Sequence, residues 1–363
     1  MDCTSLMRTD ISSFTPYPPS PTINQLAKQL RRNASSIIKA NVGENPAVLS
    51  AYQEALSKVD LFRYPDPFSL ELREKLSAYC NHPLQGIFCA NGSDDAIDVL
   101  TRLFVEPGDE VIICPPTFPM YRTYAQLSYA KIIDVNRKSD FSLDISGIVS
   151  AVSSRTKLIY IDSPGNPCGV AIHEDAILEL LKQDTIVVLD EAYYEYYGKT
   201  MQSYVATHPN LVVVRTFSKW AGLAGLRVGY ILADSEIIKA LEQLKMPYNV
   251  NVVGQLLACA ALDHRDSVFA KLAYIKQVRN QAIRELSAIQ EIEVLPSETA
   301  YIVIRCLNRS AVDARRYLHK NAIFVKLENQ PFIENSIRIN LATTHELATF
   351  LYYFTEWVNG TKN

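Results

Sequence analysis

Short, continuously apolar runs constrain this chain more than any other feature. "GIFCA" (86–90), "EVIIC" (110–114), "AKIIDV" (130–135), "KLIYID" (157–162), "TIVVLD" (185–190), "LVVVRTF" (211–217) and "VGYILA" (228–233) recur at intervals. A strand with one wet face alternates apolar and polar residues, whereas a run that is apolar throughout is covered on both faces. Stretches with helical spacing, such as "SDDAIDVLTRLF" and "HEDAILELLKQ", lie between the runs and supply that cover. The alternation predicts an α/β domain built on a mainly parallel sheet.

The pattern changes near residue 235. "SEIIKALEQLK" and the run through "KLAYIKQVRNQAIRELSAI" read as helices. "AYIVIRCL" and "SIRINLA" then read as strands around the helix "AVDARRYLHK", with "HELATFLYYFTEWV" as a last helix. This predicts a smaller α+β domain. At the other end, "ISSFTPYPPSPT" is too rich in Pro and Ser for a long helix and reads as an arm. The expected division is 1–35 as arm and small-domain part, 36–250 as the large domain and 251–363 as the small C-terminal domain. A chain of 363 residues exceeds what one small core spans.

Composition narrows the function. With 48% hydrophobic and 21% charged residues and a net charge of −3, the chain reads as a soluble globular protein with no bias toward nucleic acid or an anionic membrane. The start, "MDCTSLMRTD", has no apolar segment of a signal peptide. Seven cysteines without a CxxC pair suit a reducing cytoplasm, and six scattered histidines give no metal-ligand spacing.

In an open α/β sheet, ligands bind beyond the carboxyl ends of the strands, so polar residues just after each run are the candidates. "NGSDDAI" places Gly92, Ser93 and Asp94 where a strand becomes a helix, which suits either a phosphate cup or plain helix capping. "PPTFPMY" offers Phe118 and Tyr121 to cover a flat ring or to fill the core. Asn166 in "SPGNPCG" is an amide donor or a turn residue. Asp190 in "TIVVLDEAYY" ends a buried strand three residues before Tyr193, as a partner for a protonated ring nitrogen or as a helix cap. "RTFSKWAGLAGLRVGY" brings Thr216, Ser218, Lys219 and Arg227 together. Burial and Arg227 are expected to lower the lysine's pKa, as Schiff-base chemistry requires, and Arg227 offers a fork for phosphate. Each segment has an ordinary reading by itself. Together they meet the needs of one cofactor, pyridoxal 5′-phosphate.

The segments "FTPYPPSP", "FRYPDPFSLELREKL", "NGSDDAID", "PPTFPMY", "SPGNPCG", "DEAYYEY", "RTFSKWAGLAGLRVGY" and "SIRINLATT", in this order, make the chain resemble the fold-type I pyridoxal-phosphate enzymes of aminotransferase class I/II, closest to the histidinol-phosphate aminotransferases. The resemblance implies that Lys219 binds the cofactor aldehyde and moves the substrate α-proton, with Asp190 on the pyridine nitrogen. It implies Asn166 and Tyr193 on the ring oxygen and Phe118 against the ring. Ser93, Asp94, Thr216, Ser218 and Arg227 would hold the phosphate. Tyr64 of "RYPD" would reach the site of a partner subunit, which implies a homodimer. Arg338 in "SIRIN" would clamp the substrate carboxylate, with Asn166 and Gly43 of "NVGENP" nearby. This chain departs from the family on the substrate side: Lys326 stands where an arginine is usual, and Tyr301 replaces an asparagine. The resemblance therefore implies an aminotransferase acting on an L-amino acid or amino phosphate. The alternative is a non-transaminating enzyme with the same cofactor, which performs elimination, cyclisation or decarboxylation on an unusual, arginine-like amino acid. Glu44 or Asp10 would meet the guanidinium of such a substrate.

Overall fold

The computed structural model describes residues 3–14, 17, 20–46 and 49–360, so residues 15, 16, 18 and 19 of the expected arm lie outside the described ones. The helix Ile23–Leu30 starts at a reciprocal cap, in which Thr22 accepts from the Gln25 N–H while the Gln25 side chain accepts from the Thr22 N–H. A two-residue strand follows, β1 (Ile38–Lys39).

Seven strands then build the large sheet: β2 (Ile87–Ala90), β3 (Glu110–Ile113), β4 (Lys131–Asp134), β5 (Thr156–Asp162), β6 (Ile186–Asp190), β7 (Leu211–Thr216) and β8 (Gly229–Leu232). Their spatial order is β2-β8-β7-β6-β5-β3-β4. Neighbours from β4 to β7 pair in parallel, and only β8 runs against both of its neighbours. The mainly parallel α/β sheet expected from the apolar runs is therefore present. β2, β3 and β8 are buried at every residue, as double cover requires. The reversal of β8 has a consequence for the site. Its first residue, Gly229, pairs with Ala90 and Thr216, so the start of β8 lies at the edge where its neighbours end. Arg227, just before β8, is thereby delivered to the same edge as Asp190 and Lys219.

The small lobe contains β9 (Ile292–Val294), β10 (Ile302–Cys306), β11 (Ile323–Phe324), β12 (Lys326–Glu328) and β13 (Ser336–Ile339). An antiparallel sheet runs β12-β13-β10-β9, and β11 pairs in parallel with β1. The helices Ala311–Lys320 and Thr344–Val358 contribute Leu318, Phe350 and Phe354 to its core. The helix Arg265–Leu286 belongs to both cores: Val268, Leu272 and Ile275 pack in the large one, Val278, Ala282 and Leu286 in the small one.

Two stretches pack across the expected divisions. Ile38 and Ala40 lie in the small-lobe core, and Leu257, Ala258 and Ala261 of the helix Val252–Asp263 lie in the large one. The change in sequence pattern marks the onset of helices, not the passage between cores. No helix among the described residues is long and apolar enough to cross a membrane.

Candidate active site

A cleft enclosing about 540 Å³ of empty space opens at the carboxyl edge of the large sheet. Ser93, Asp94, Phe118, Asn166, Asp190, Tyr193, Thr216, Ser218, Lys219 and Arg227 all line it, although they come from five separate segments. Gly43 and Arg338 line the adjoining part of the cleft, again with Lys219 and Asn166.

Lys219 follows the end of β7 and is fixed through its backbone. Asn45 Nδ2 donates to the carbonyls of Lys219 (2.9 Å) and Trp220 (2.8 Å), and the Trp220 side chain is fully buried. The amine itself is pushed below its usual pKa, first by burial and then by Arg338. Arg227, the cation expected to do this, has a smaller effect than Arg338. Close approach explains Gly43: a Cβ there would lie 3.3 Å from Lys219 Nζ and 3.4 Å from the Tyr193 hydroxyl.

Asp190 ends β6 and is buried. Tyr121 Oη donates to its Oδ2 (2.8 Å) and the Ala192 N–H donates to its Oδ1 (2.9 Å). Burial pushes the carboxyl up to about 7; Asp162 adds to the rise and the Tyr121 bond opposes it. Asp162 is the cross-strand partner of Asp190, yet its situation differs. Arg137 Nη2 lies 2.6 Å from Asp162 Oδ1, Thr117 donates to that oxygen, and the Asn166 N–H donates to Oδ2. Asp162 thus has its cation. The Asp190 carboxylate has hydrogen bonds but, among the described residues, no cation at ion-pair distance, and it lines the cleft. A cationic group in the cleft would complete it.

Tyr121 was expected either to cover a flat ring or to fill the core, and it is fully buried. Its ring stacks on Tyr160 (4.8 Å, 4°), and its hydroxyl is committed to Asp190. Phe118 stands edge-on to it at 5.6 Å and lines the cleft. Tyr121→Phe removes the bond that favours ionised Asp190. The acid limb of the kcat/KM–pH profile is expected to move to higher pH, with a loss of about tenfold below neutrality. An unshifted limb would mean that the hydroxyl does not act on Asp190.

An anion cup lies at the other end of the cleft. The helix Ser93–Phe104 begins at Gly92, whose φ of +87° is a left-handed-side value that glycine adopts readily. A Cβ there would fall 2.5 Å from Arg227 Nη2. Arg227 donates to Asp94 Oδ2 (2.7 Å) and to Ser218 Oγ (3.4 Å), and Thr216 donates to Ser218 (2.9 Å). Asp94 therefore orients Arg227 with its carboxylate and offers a bound anion only its backbone N–H. The cup is closed from below by Gly229, where a Cβ would lie 2.6 Å from the backbone of Gly92 and Ser93. Backbone cannot swing aside as a side chain does. Gly229→Ala is expected to cost about 2–3 kcal/mol in urea unfolding and to weaken cofactor retention.

Arg338 comes from β13 in the small lobe. Its Nη1 donates to Asn166 Oδ1 (2.6 Å), and its guanidinium lies over the Tyr301 ring at 4.9 Å. Asn166 itself lines both parts of the cleft. Tyr301, the unusual residue of its strand, donates its hydroxyl to the Gly165 carbonyl (2.6 Å) and so ties the small lobe to the turn carrying Asn166.

Two expected substrate contacts, Glu44 and Asp10, are corrected, and Tyr64 lies apart from the cleft. Tyr64 is 81% exposed, stacks on Tyr248 at 4.6 Å and does not line the cleft of its own chain. Glu44 is paired with Lys39 (2.8 Å) and Asp10 with Arg8 (2.6 Å), so neither carboxylate waits for a substrate guanidinium. Among the described residues no cluster of His, Cys, Asp and Glu could hold a metal ion. Sequence reasoning missed Asp162, although "KLIYID" ends like "TIVVLD", and missed Arg137, Asn45 and Glu328, whose partners are remote in sequence.

The cleft asks for a flat ligand with a cationic ring atom near Asp190, an anion in the Arg227 cup and a group that reacts with the Lys219 amine. The family model for aminotransferase class I and II matches residues 35–351. The chain is 36% identical to the histidinol-phosphate aminotransferase of Dehalococcoides mccartyi over 352 residues, covering 96% of this chain and 97% of that one. It is 38% identical to the histidinol-phosphate aminotransferase of Roseiflexus castenholzii, covering 93% and 94%. The crystal structure of the Sinorhizobium meliloti histidinol-phosphate aminotransferase in complex with pyridoxal-5′-phosphate superposes with a TM-score of 0.84 at 25% identity, covering 97% and 99%. With its uncompensated carboxylate, its anion cup and its low-pKa lysine all facing one cleft, this chain belongs to the pyridoxal-phosphate-dependent aminotransferases of class I and II.

Proposed function

We propose that this protein moves an amino group between a small amino donor and a 2-oxo acid, in the manner of its histidinol-phosphate aminotransferase relatives. The observation that carries this is the convergence of Lys219, Asp190 and Arg227 on one cleft with Arg338 on its substrate side. When bound, pyridoxal phosphate supplies an electron sink for the bonds at the substrate α-carbon.

The protein's own residues do the rest. Arg227, Ser218, Thr216 and the N–H groups of Ser93 and Asp94 would hold the phosphate. Ionised Asp190 would face the ring nitrogen, Phe118 would lie against the ring, and Asn166 and Tyr193 would serve the ring oxygen. Lys219 would be the residue that binds the aldehyde, and its amine, kept from full protonation by burial and Arg338, is the base placed to accept the substrate α-proton. Arg338 clamps the anionic end of the substrate.

The functional unit in this reading is a homodimer. Leu61 (73%), Phe62 (79%) and Tyr64 (81%) are exposed together beside Tyr248, an apolar surface suited to a second copy whose cleft Tyr64 enters. The seven free cysteines, six of them buried, fit a reducing, cytoplasmic setting.

The test uses holoenzyme and an amino donor without an oxo-acid acceptor. Amino transfer yields one equivalent of oxo product per site and resumes only when 2-oxoglutarate is added. Repeated turnover without an acceptor would instead establish elimination, cyclisation or decarboxylation.

A further inference from the structure

Three charged side chains at the substrate end share one face of the small sheet. Lys326 is the direct cross-strand partner of Arg338, and Glu328 lies two residues beyond Lys326 on β12, so all three point the same way. Glu328 is 5% exposed. Its Oε1 stands 3.4 Å from Arg338 Nε and 3.3 Å from Lys326 Nζ. One buried carboxylate is thus shared by two cationic side chains, and the group as a whole carries at most a single positive charge, because burial and Arg338 push the Lys326 amine below its usual pKa. Of the other carboxylates along the cleft, Asp94 is paired with Arg227 in the cup and Glu44 with Lys39.

We infer that Glu328 sets the anion selectivity of the substrate site, trimming it to a singly charged carboxylate and against the doubly charged phosphate of an amino alcohol phosphate. This rests on the proposed role of Arg338 as the clamp for the substrate's anionic end. A carboxylate brings one negative charge and neutralises the group. A phosphate monoester brings −1.5 to −2 near neutrality and leaves roughly half a charge to one charge unmatched in a mostly buried place. Arg338 contributes one face of donors, since Nη1 is already committed to Asn166 and Nε faces Glu328. The substrate class assigned here is therefore an ordinary α-amino acid. The relatives named above carry the name of an amino alcohol phosphate, so the two classes can be told apart directly.

The experiment compares matched pairs with identical side chains: L-histidine against L-histidinol phosphate, and L-alanine against alaninol phosphate. Holoenzyme fills the Arg227 cup and leaves only the substrate site free to discriminate. Two quantities are read, kcat/KM for oxo-product formation and, by calorimetry, the dissociation constants of the amine-free analogues, the matching carboxylate and alkyl phosphate. Carboxylates are expected to be preferred about tenfold or more in both. Glu328→Gln raises the net charge by one and is expected to move the carboxylate-to-phosphate ratio about tenfold toward phosphate. If Glu328 merely propped up Arg338, both members of each pair would weaken together and the ratio would hold, which would overturn the inference. So would a wild-type preference for phosphate. Should Glu328→Gln fail to fold, Lys326→Met serves: losing one cation must weaken phosphate binding more than carboxylate binding, and an equal loss contradicts the inference. If no amine is transferred from any donor while the calorimetric preference stands, the proposed reaction fails and the selectivity survives.

Discussion

Lys219→Ala is expected to fold, to bind pyridoxal phosphate only reversibly and to lose about 10³-fold or more in kcat/KM. Little else should change. Lys219 is held by its backbone, through the bonds that Asn45 Nδ2 makes to the carbonyls of residues 219 and 220. Those bonds survive the substitution, and the neighbouring Trp220 stays fully buried as the local anchor. Removing a buried amine that sits near Arg338 relieves repulsion, so the melting temperature of the cofactor-free protein is expected to hold or rise. The visible absorption of the covalently bound cofactor is expected to disappear after dialysis. Loss of activity with that absorption intact would assign the covalent bond to another residue.

Asp190→Asn is expected to act with opposite signs on stability and activity. The pKa of Asp190 is raised from 3.8 to about 7, mainly by burial. A carboxyl raised in this way contributes stability that is complete below its unfolded value near 4 and is lost as pH rises through 7. Asparagine keeps the shape, can accept from the Tyr121 hydroxyl and carries no charge to strand. At pH 8 the cofactor-free variant should therefore be more stable than the wild type, by an amount on the order of 4 kcal/mol, and the difference should shrink toward zero near pH 4. With the cofactor bound, the missing anion removes the partner of the protonated ring nitrogen, and kcat is expected to fall about 10²-fold or more. Urea unfolding across this pH range checks the first sign, and steady-state kinetics check the second. A variant less stable than the wild type at pH 8 would show that the buried charge is already matched in the free protein.

Much of this site was legible because the chain announces its strands. Asp190, Lys219 and Asn166 each close or follow a continuously apolar run, and in a parallel sheet those ends converge on one edge. Arg227 was legible as a fork for phosphate from its place in the lysine segment, but its position at the sheet edge was not. It precedes a strand, and its arrival at the same edge depends on the reversal of β8, which no local pattern encodes. The role of the Tyr121 hydroxyl was not legible, because an aromatic after a Pro-rich turn says nothing about where its polar tip goes; the stack on Tyr160 decides that. Glu328 left no signal, since its meaning lies in Arg338, which antiparallel pairing brings beside it, as well as in Lys326 two residues before it on the same strand. The pairing of Ile38–Lys39 with Ile323–Phe324 is equally silent in sequence, joining the two ends of the chain in one lobe.

Sodium borohydride reduction of the holoenzyme, followed by proteolysis and mass spectrometry, tests the placement of the cofactor most directly. A phosphopyridoxyl group fixed on the peptide that contains Lys219, at stoichiometry near one per chain, is the expected result. The same mass on another lysine, or an unmodified Lys219 peptide from protein that has kept its cofactor, would contradict it.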